Sequence, residues 1–309
     1  MARDEMSEAS STGAALEEPR PHRRVDADLA PPTARSGMLG VFQNRYLFRL
    51  LVRREISARY SGSFLGLLWS YINPLSQFLI YYFILGKLLD RGTENFAVHV
   101  FSALIVVHFF IETFNAGTRS IVRNKSLVRK MALPREMFPV ASMLVSLYHV
   151  APQVVILFVV CLFYGWVPDP MVPVALALAL GIIMLLATAL ALLFSVANVY
   201  FRDFASVVSI LTNFVRFGVP MIYPYAVVEE RFGSFAQYYM LNPLAEAVLL
   251  VQRAFWVGTT QDPSATAATE LPDHLFTRGL AMVGVSLVVL VIAQLVFTRL
   301  ENKIPERLN

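Results

Sequence analysis

The chain has 309 residues, 56% of them hydrophobic and 16% charged, with a mean hydropathy of +0.57. Soluble domains are about 45–50% apolar and about 25% charged, so the composition excludes an ordinary water-soluble protein and calls for lipid as solvent. The formal net charge is +4, and the single Cys161 lies inside an apolar run, which excludes an intrachain disulfide, a cysteine metal cage and thiol redox chemistry.

Residues 1–36 are polar, rich in Ala, Ser and Pro, and carry Asp4, Glu5, Glu8, Glu17 and Glu18 with no apolar core of a secretory signal. They are expected to form a disordered cytoplasmic tail. Residues 37–309 are expected to form one membrane domain. At its start, over residues 39–59, Arg45, Arg49 and Arg53 recur at i, i+4 and i+8 beside Leu39, Tyr46, Leu47, Leu50 and Leu51. That spacing predicts an amphipathic helix lying in the membrane interface. A docking helix and a topology-fixing basic flank remain equal alternatives for this segment alone.

Six apolar stretches follow, at 65–89, 98–116, 138–166, 172–200, 207–228 and 280–297. Each is long enough to cross the hydrocarbon core, so the fold class is an all-α membrane protein with six transmembrane helices. The third and fourth are separated by Val167, Pro168, Asp169, Pro170 and Met171, a breaker cluster that predicts a tight membrane hairpin.

In the first stretch Phe64, Tyr71, Phe78 and Tyr82 share a helical stripe. In the fifth, Phe214, Phe217, Met221 and Tyr225 do so if Pro220 only kinks the helix. Aromatic rings stack on the C–H faces of sugars, so such stripes suit a saccharide channel; core packing or an interfacial belt is the alternative. Arg216 lies opposite the second stripe, so only one of them faces a channel. Ionisable groups at membrane depth are costly and therefore functional candidates, and Glu112 is expected to cap the loop after the second stretch through Asn115 or Arg119.

That loop, Gly117 to Glu136, predicts a short basic helix. Arg119, Arg123, Lys125, Arg129, Lys130 and Arg135 alternate there with Ile121, Leu127, Val128 and Met131, and Pro134 ends the helix. The helix suits insertion into a groove of a soluble partner, with a plain positive-inside loop as the alternative. The segment 229–278 is too apolar for an idle loop. Its apolar pieces are about 10–14 residues long, as in re-entrant or interfacial helices, and Asn242 and Pro243 mark a turn between two of them; residues 259–273 are polar and loop-like.

With the N-terminus inside, 20 Lys and Arg fall on cytoplasmic segments against five outside. This predicts cytoplasmic N- and C-termini. The basic charge then reflects orientation and contact with anionic membrane lipids, and no aromatic-interleaved basic motif points to nucleic acid. The five His residues show no metal-ligand spacing, no G-x-S-x-G is present, and Gly86-Lys87 is followed by Leu88 without the upstream Gly of a phosphate-binding loop. No covalent chemistry is expected of this chain.

The stretch Leu51-Val-Arg-Arg-Glu-Ile-Ser-Ala-Arg-Tyr-Ser-Gly-Ser-Phe-Leu-Gly-Leu-Leu-Trp-Ser-Tyr-Ile-Asn-Pro74 resembles the approach to the first span of ABC-2 polysaccharide exporter permeases. Further matches are Asn124-Lys-Ser-Leu-Val-Arg-Lys130, Leu133-Pro-Arg-Glu-Met-Phe-Pro139, Tyr200-Phe-Arg-Asp203, Pro220-Met-Ile-Tyr-Pro224, and Leu241-Asn-Pro-Leu244 followed by Arg253. They stand in the family's order over residues 40–300. Members carry O-antigen, teichoic acid or galactan chains, and the galactan exporters of actinobacteria are the nearest likeness.

The resemblance implies a homodimer of six-span subunits around one channel in a bacterial cytoplasmic membrane, joined by two copies of a separate ATPase that holds ATP and Mg. No cofactor is implied in the chain itself, and the implied cargo is a polyprenyl-pyrophosphate-linked glycan. By the same resemblance, Leu39 to Arg59 looks like the interface helix, Ser120 to Leu133 the coupling helix, and Glu229 to Trp256, with Tyr238, Tyr239, Asn242 and Pro243, the outer gate helices. Arg202 and Asp203 match a second cytoplasmic turn, where a local ion pair near the ATPase is expected. The long acidic, Pro-rich tail departs from the family's short N-terminus.

Two rivals stay open. An ABC-2 permease for a drug or lipid would lack the outer gate helices. A membrane-embedded glycan transferase would carry acidic or His clusters outside, where only Glu229, Glu230, Glu246, Asp262, Glu270, Asp273 and His274 are scattered.

Overall fold

The computed structural model describes residues 37–88, 93–131 and 133–307. The expected disordered tail and the last residue of the first apolar stretch, Leu89, lie outside the described residues. Regular structure among the described residues is helical throughout. In chain order the helices are α1 (Gly37–Gln43), α2 (Arg45–Tyr60), α3 (Trp69–Ile80), α4 (Phe96–Arg123), α5 (Lys125–Lys130), α6 (Met137–Phe163) and α7 (Val172–Tyr200). They continue with α8 (Phe204–Val215), α9 (Tyr225–Phe232), α10 (Ala236–Tyr239), α11 (Pro243–Phe255), α12 (Pro263–Glu270), α13 (Leu275–Leu300) and α14 (Ile304–Arg307).

Four of these, α4, α6, α7 and α13, are long and apolar enough to cross a membrane. The first apolar stretch is helical but irregular: a 3₁₀ turn at Gly66–Leu68 leads into α3, which widens into a π turn at Tyr81–Leu88. The fifth departs from expectation. Helix α8 stops at Val215, well before Pro220, so Pro220 does not merely kink a continuous span.

The physical reason is that Gly218 and Pro220 weaken the helix and that the carbonyls freed by unwinding find other donors. Asn242 Nδ2 donates to the Gly218 carbonyl (3.1 Å), Gln252 Nε2 to that of Pro220 (2.9 Å) and the Tyr223 hydroxyl to that of Phe217 (2.8 Å).

Helix α4 is the axis of the fold. It packs against α6, α7, α8, α11 and the π turn. Its apolar window is 83% buried, against 22% for α13, which therefore lies at the periphery with Leu280, Leu287, Val288, Val291, Ile292 and Leu295 exposed. Such an apolar rim is stable only against hydrocarbon. Small residues bring α4 and α7 together: Gly117 faces Ala191, and Ala175, Ala179 and Ala187 are fully packed. The turn between α6 and α7 closes with Gly165 at φ 71° and a bond from the Val167 N–H to the Gly258 carbonyl (2.8 Å).

Other bounds shift for simple reasons. Helix α4 begins at Phe96 and runs beyond the apolar stretch through Arg123, absorbing Ser120 to Arg123 of the expected coupling helix, which shrinks to α5. The expected interface helix is broken at Asn44 into α1 and α2, with the Asn44 side chain donating to the Gly40 carbonyl (2.9 Å). The third, fourth and sixth stretches emerge as α6, α7 and α13, and α7 has the bounds of its stretch.

At the C-terminal end of α13, Arg135 donates to the Glu301 carbonyl, and Gln294 Nε2 donates to Glu136 Oε1 (3.0 Å). Burial, reinforced by the Glu136 charge, pushes the Glu301 carboxyl up to about 7. The folded state therefore holds a proton that the unfolded chain releases above its ordinary value of 4.5. Stability falls as pH rises from that value through about 7 and is level beyond it. Glu301→Gln is expected to raise the melting temperature in detergent at pH 8, with a gain of up to about 3 kcal/mol, and to flatten the pH profile between 5 and 7; an unchanged profile would contradict this assignment.

Candidate functional site

One end of the molecule gathers charge. Helix α2 lies beside α6 and presents Arg54, Glu55 and Arg59 toward α4. Glu112 Oε1, well inside α4, accepts from Arg59 and from His149 Nδ1 (2.7 Å) on α6. Glu55 pairs with Arg123 (2.5 Å) and accepts from Asn124 Nδ2 (3.3 Å), while Arg54 donates to Asn124 Oδ1 (3.3 Å). These groups line a polar cavity of about 400 Å³ with Ser142 and Ser146.

Glu112 therefore does not cap the following loop. Asn115 instead bonds to the Ile111 carbonyl (3.0 Å) and to Thr212 Oγ1 (3.4 Å), tying α4 to α8. Arg59, Glu55 and His149 were not singled out by sequence reasoning; the available signal was that a carboxylate at membrane depth needs a cation.

Arg123 ends α4 and is held by Glu55, so it belongs to this fastening. Lys125, Arg129 and Lys130 on α5 are exposed and have no carboxylate partner among the described residues. Beneath them Val128 is buried with Ile121 of α4, Met137 and Phe138 of α6 and Leu192 of α7. A basic face is thus mounted on an apolar seat shared by three long helices. Pro134 is buried in the segment leading to α6. Arg202 and Asp203 are exposed in the turn from α7 to α8 and do not form the expected ion pair with each other. Arg45, Arg49 and Arg53 are exposed along one row of α2.

The aromatic stripes divide. On α3 Tyr71 is exposed, whereas Phe78 is buried edge-on against Phe101 of α4 with ring centroids 5.1 Å apart. Tyr82 stacks on Phe78 at 6.3 Å under Lys87. Phe78 and Tyr82 therefore anchor the first helix to α4 and do not form an open lining. Phe214, Arg216 and Phe217 are all exposed. Their expected opposition fails because Arg216 and Phe217 lie past the end of α8, in a turn. Tyr225 opens α9 and is buried, as is Met221, so neither continues the stripe. Helices α3 and α8 each keep an exposed apolar face, through Ile72, Leu75 and Leu79, continued by Phe83 of the π turn, on one and Val207, Ile210, Leu211 and Phe214 on the other.

At the other end α9, α10 and α11 form a helical cap. Asn242 caps α11 by accepting from the Leu244 N–H (3.0 Å), and Pro243 occupies the first turn, where its missing N–H costs nothing. Tyr239 meets Tyr223 hydroxyl to hydroxyl (3.2 Å), while Tyr238 is exposed. Arg253 pairs with Asp169 on the α6–α7 turn; a bond from the Met171 N–H and the Arg253 guanidinium hold the Asp169 carboxyl below its usual range. Trp166 Nε1 donates to the Ala254 carbonyl (3.2 Å) and Trp256 Nε1 to that of Glu94 (2.8 Å). The cap is therefore bolted to the loops on both sides of it.

No group of three or more His, Cys, Asp or Glu able to hold a metal occurs among the described residues. What the fold offers is a bundle with a basic face at one end, a helical cap at the other and exposed apolar faces between. These are the parts of a transport subunit.

Residues 46–256 match the model of the ABC-2 type transporter family, and the chain belongs to that family. It is similar to the O-antigen export system permease protein RfbA of Myxococcus xanthus, with 27% identity over 70% of this chain and 82% of that protein. Two proteins of the same name from Klebsiella pneumoniae are 28% and 26% identical, each over 69% of this chain and over 83% and 82% of their own lengths.

Proposed function

We propose that this chain is the membrane-spanning subunit of an exporter that moves a lipid-linked polysaccharide of galactan, O-antigen or teichoic-acid type across a bacterial cytoplasmic membrane. The observation that carries the reading is the similarity to O-antigen export permeases over more than four-fifths of their length. Two copies of the chain enclose the channel, and two copies of a separate ATPase, holding ATP and Mg, supply the energy. The exposed faces of α3 and α8, with Tyr71, Phe214 and Phe217, meet the second copy and the passing glycan. The polyprenyl tail stays in the bilayer while pyrophosphate and sugar pass, and Arg216, exposed between Phe214 and Phe217 in sequence, receives the pyrophosphate.

Both chain termini face the cytoplasm in this reading, supported by the charge distribution of 20 Lys and Arg against five. Helix α3 with its flanking turns, and α8 with the turn beyond it, complete six passages alongside α4, α6, α7 and α13. Helix α5 is the coupling element, and Arg202 and Asp203 lie on the same side. Closure of the ATPases on ATP pushes α5, and because Val128 is seated among α4, α6 and α7 the push passes into the bundle and shifts the balance between inward- and outward-open states. Helices α9 to α11, with Tyr238 and Tyr239, form the outer gate.

Replacing Arg129 and Lys130 together by Glu is expected to lower export about tenfold or more while the ATPase still hydrolyses ATP, since like charges across an interface cost several kcal/mol. Surface polysaccharide and phosphate release measured on the same variant test this; wild-type export would remove α5 from the coupling role.

A further inference from the structure

The two faces of α2 treat their arginines differently. On the face toward α4, Arg54 and Arg59 are engaged by Asn124 and Glu112, and Glu55 holds Arg123. On the face toward α6, Arg45, Arg49 and Arg53 are exposed, and no carboxylate among the described residues pairs with any of them. The same three line a groove of about 410 Å³ whose floor and walls are Phe48, Val52, Ile56 and Leu144, with Tyr148 and Ser57 at its rim. No acidic residue among the described ones lines it.

We propose that this groove binds anionic phospholipid, with headgroup phosphates on the arginine row and an acyl chain along Leu144 and Tyr148 of α6. Charge complementarity is the first argument: three guanidiniums in one row, with no carboxylate partner among the described residues, need anions, and guanidinium forks match phosphate oxygens. Geometry is the second. Positions i to i+8 on a helix span about 12 Å, longer than one phosphate or pyrophosphate, so the row fits phosphates of neighbouring lipids and not the single pyrophosphate of a cargo molecule. The third is that α6 enters the bilayer from this end, so the apolar wall of the groove continues directly into hydrocarbon. Lipid bound here clamps α2 to α6, while the acid-paired face clamps α2 to α4.

The leaflet supplying the lipid rests on the cytoplasmic placement of α2 proposed above, but binding in micelles does not depend on sidedness or on export, so the two readings fail separately. The test is native mass spectrometry of the full chain in mild detergent, titrated with phosphatidylglycerol and with phosphatidylcholine. Wild type is expected to retain phosphatidylglycerol selectively. The triple variant Arg45→Gln, Arg49→Gln, Arg53→Gln should lose about a hundredfold in that affinity, at about a factor of five for each cation. Leu144→Trp, which fills the groove and leaves every charge in place, should also lose it. The variant Lys125→Gln, Arg129→Gln, Lys130→Gln should keep it. The proposal is overturned by undiminished phosphatidylglycerol binding in the Arg triple or in Leu144→Trp, by equal retention of phosphatidylcholine, or by stoichiometric displacement by polyprenyl pyrophosphate.

Discussion

Glu112→Ala is expected to be among the most damaging single substitutions in the membrane domain. Its carboxylate holds Arg59 of α2 and His149 of α6 on one oxygen, and the side chains of Glu112 and His149 are 13% and 6% exposed. Removing the anion takes from Arg59 and His149 the carboxylate they share at a three-helix junction, leaving Arg59 only its contact with His149 Nδ1 (2.6 Å) in place of the ion pair. Breaking a fully buried pair from one side costs about 3–5 kcal/mol, and because the Arg59 side chain is 52% exposed, solvent screening brings the expected loss below that range, to about 2 kcal/mol. Thermal unfolding in detergent should show this loss, and α2 should become the first segment to exchange its amide hydrogens. The double variant Glu112→Leu, Arg59→Met should be more stable than Glu112→Ala, because no uncompensated charge remains. If the double were the worse of the two, the junction would not be electrostatic.

The second large effect is expected at Gly117. A Cβ there would lie 2.4 Å from the Ala191 Cβ and 3.2 Å from its Cα, so α4 and α7 must part for any side chain to fit. Overpacking of this kind costs about 1–3 kcal/mol. The strain falls on the pair of helices at the centre of the bundle, so Gly117→Leu should accumulate poorly in the membrane. Gly117→Ala should retain some activity and a lowered melting temperature. Ala191→Gly added to Gly117→Ala should recover much of the loss, since it removes the nearer contact; no recovery would place the strain elsewhere.

What was legible in the sequence depended on how local the cause was. Helix α7 has the bounds of its apolar stretch because Pro170 and Met171 lie before it and Arg202 and Asp203 after it. The cap on α11 was equally local, since Asn242 and Pro243 carry their own turn chemistry. Hydropathy reports only the part of a helix that needs lipid, so the polar extension of α4 to Arg123 could not be seen. The end of α8 was hidden for another reason: the donors that satisfy its unwound carbonyls come from Tyr223, Asn242 and Gln252. The same distance concealed Glu112, whose partners lie 53 and 37 residues away.

The aromatic stripe of the first stretch does not form one face of α3: only Tyr71 and Phe78 lie on that helix, the one exposed and the other buried. A periodic pattern cannot say which residue of a stripe is claimed by a neighbour, and Phe101 claims Phe78. The family motifs were informative because they report many such long-range choices at once, and the match over residues 46–256 bears out the family.

The most direct test of the central claim is translocation in proteoliposomes holding this chain together with the separate ATPase proposed above. A lipid-linked polysaccharide supplied at the face bearing the ATPase should appear on the opposite face only when ATP and both subunits are present. Glycan crossing with the chain alone, or ATP hydrolysis by the ATPase in the presence of both subunits with no glycan crossing for any lipid-linked polysaccharide of the producing cell, would contradict the assignment of this chain as the export path.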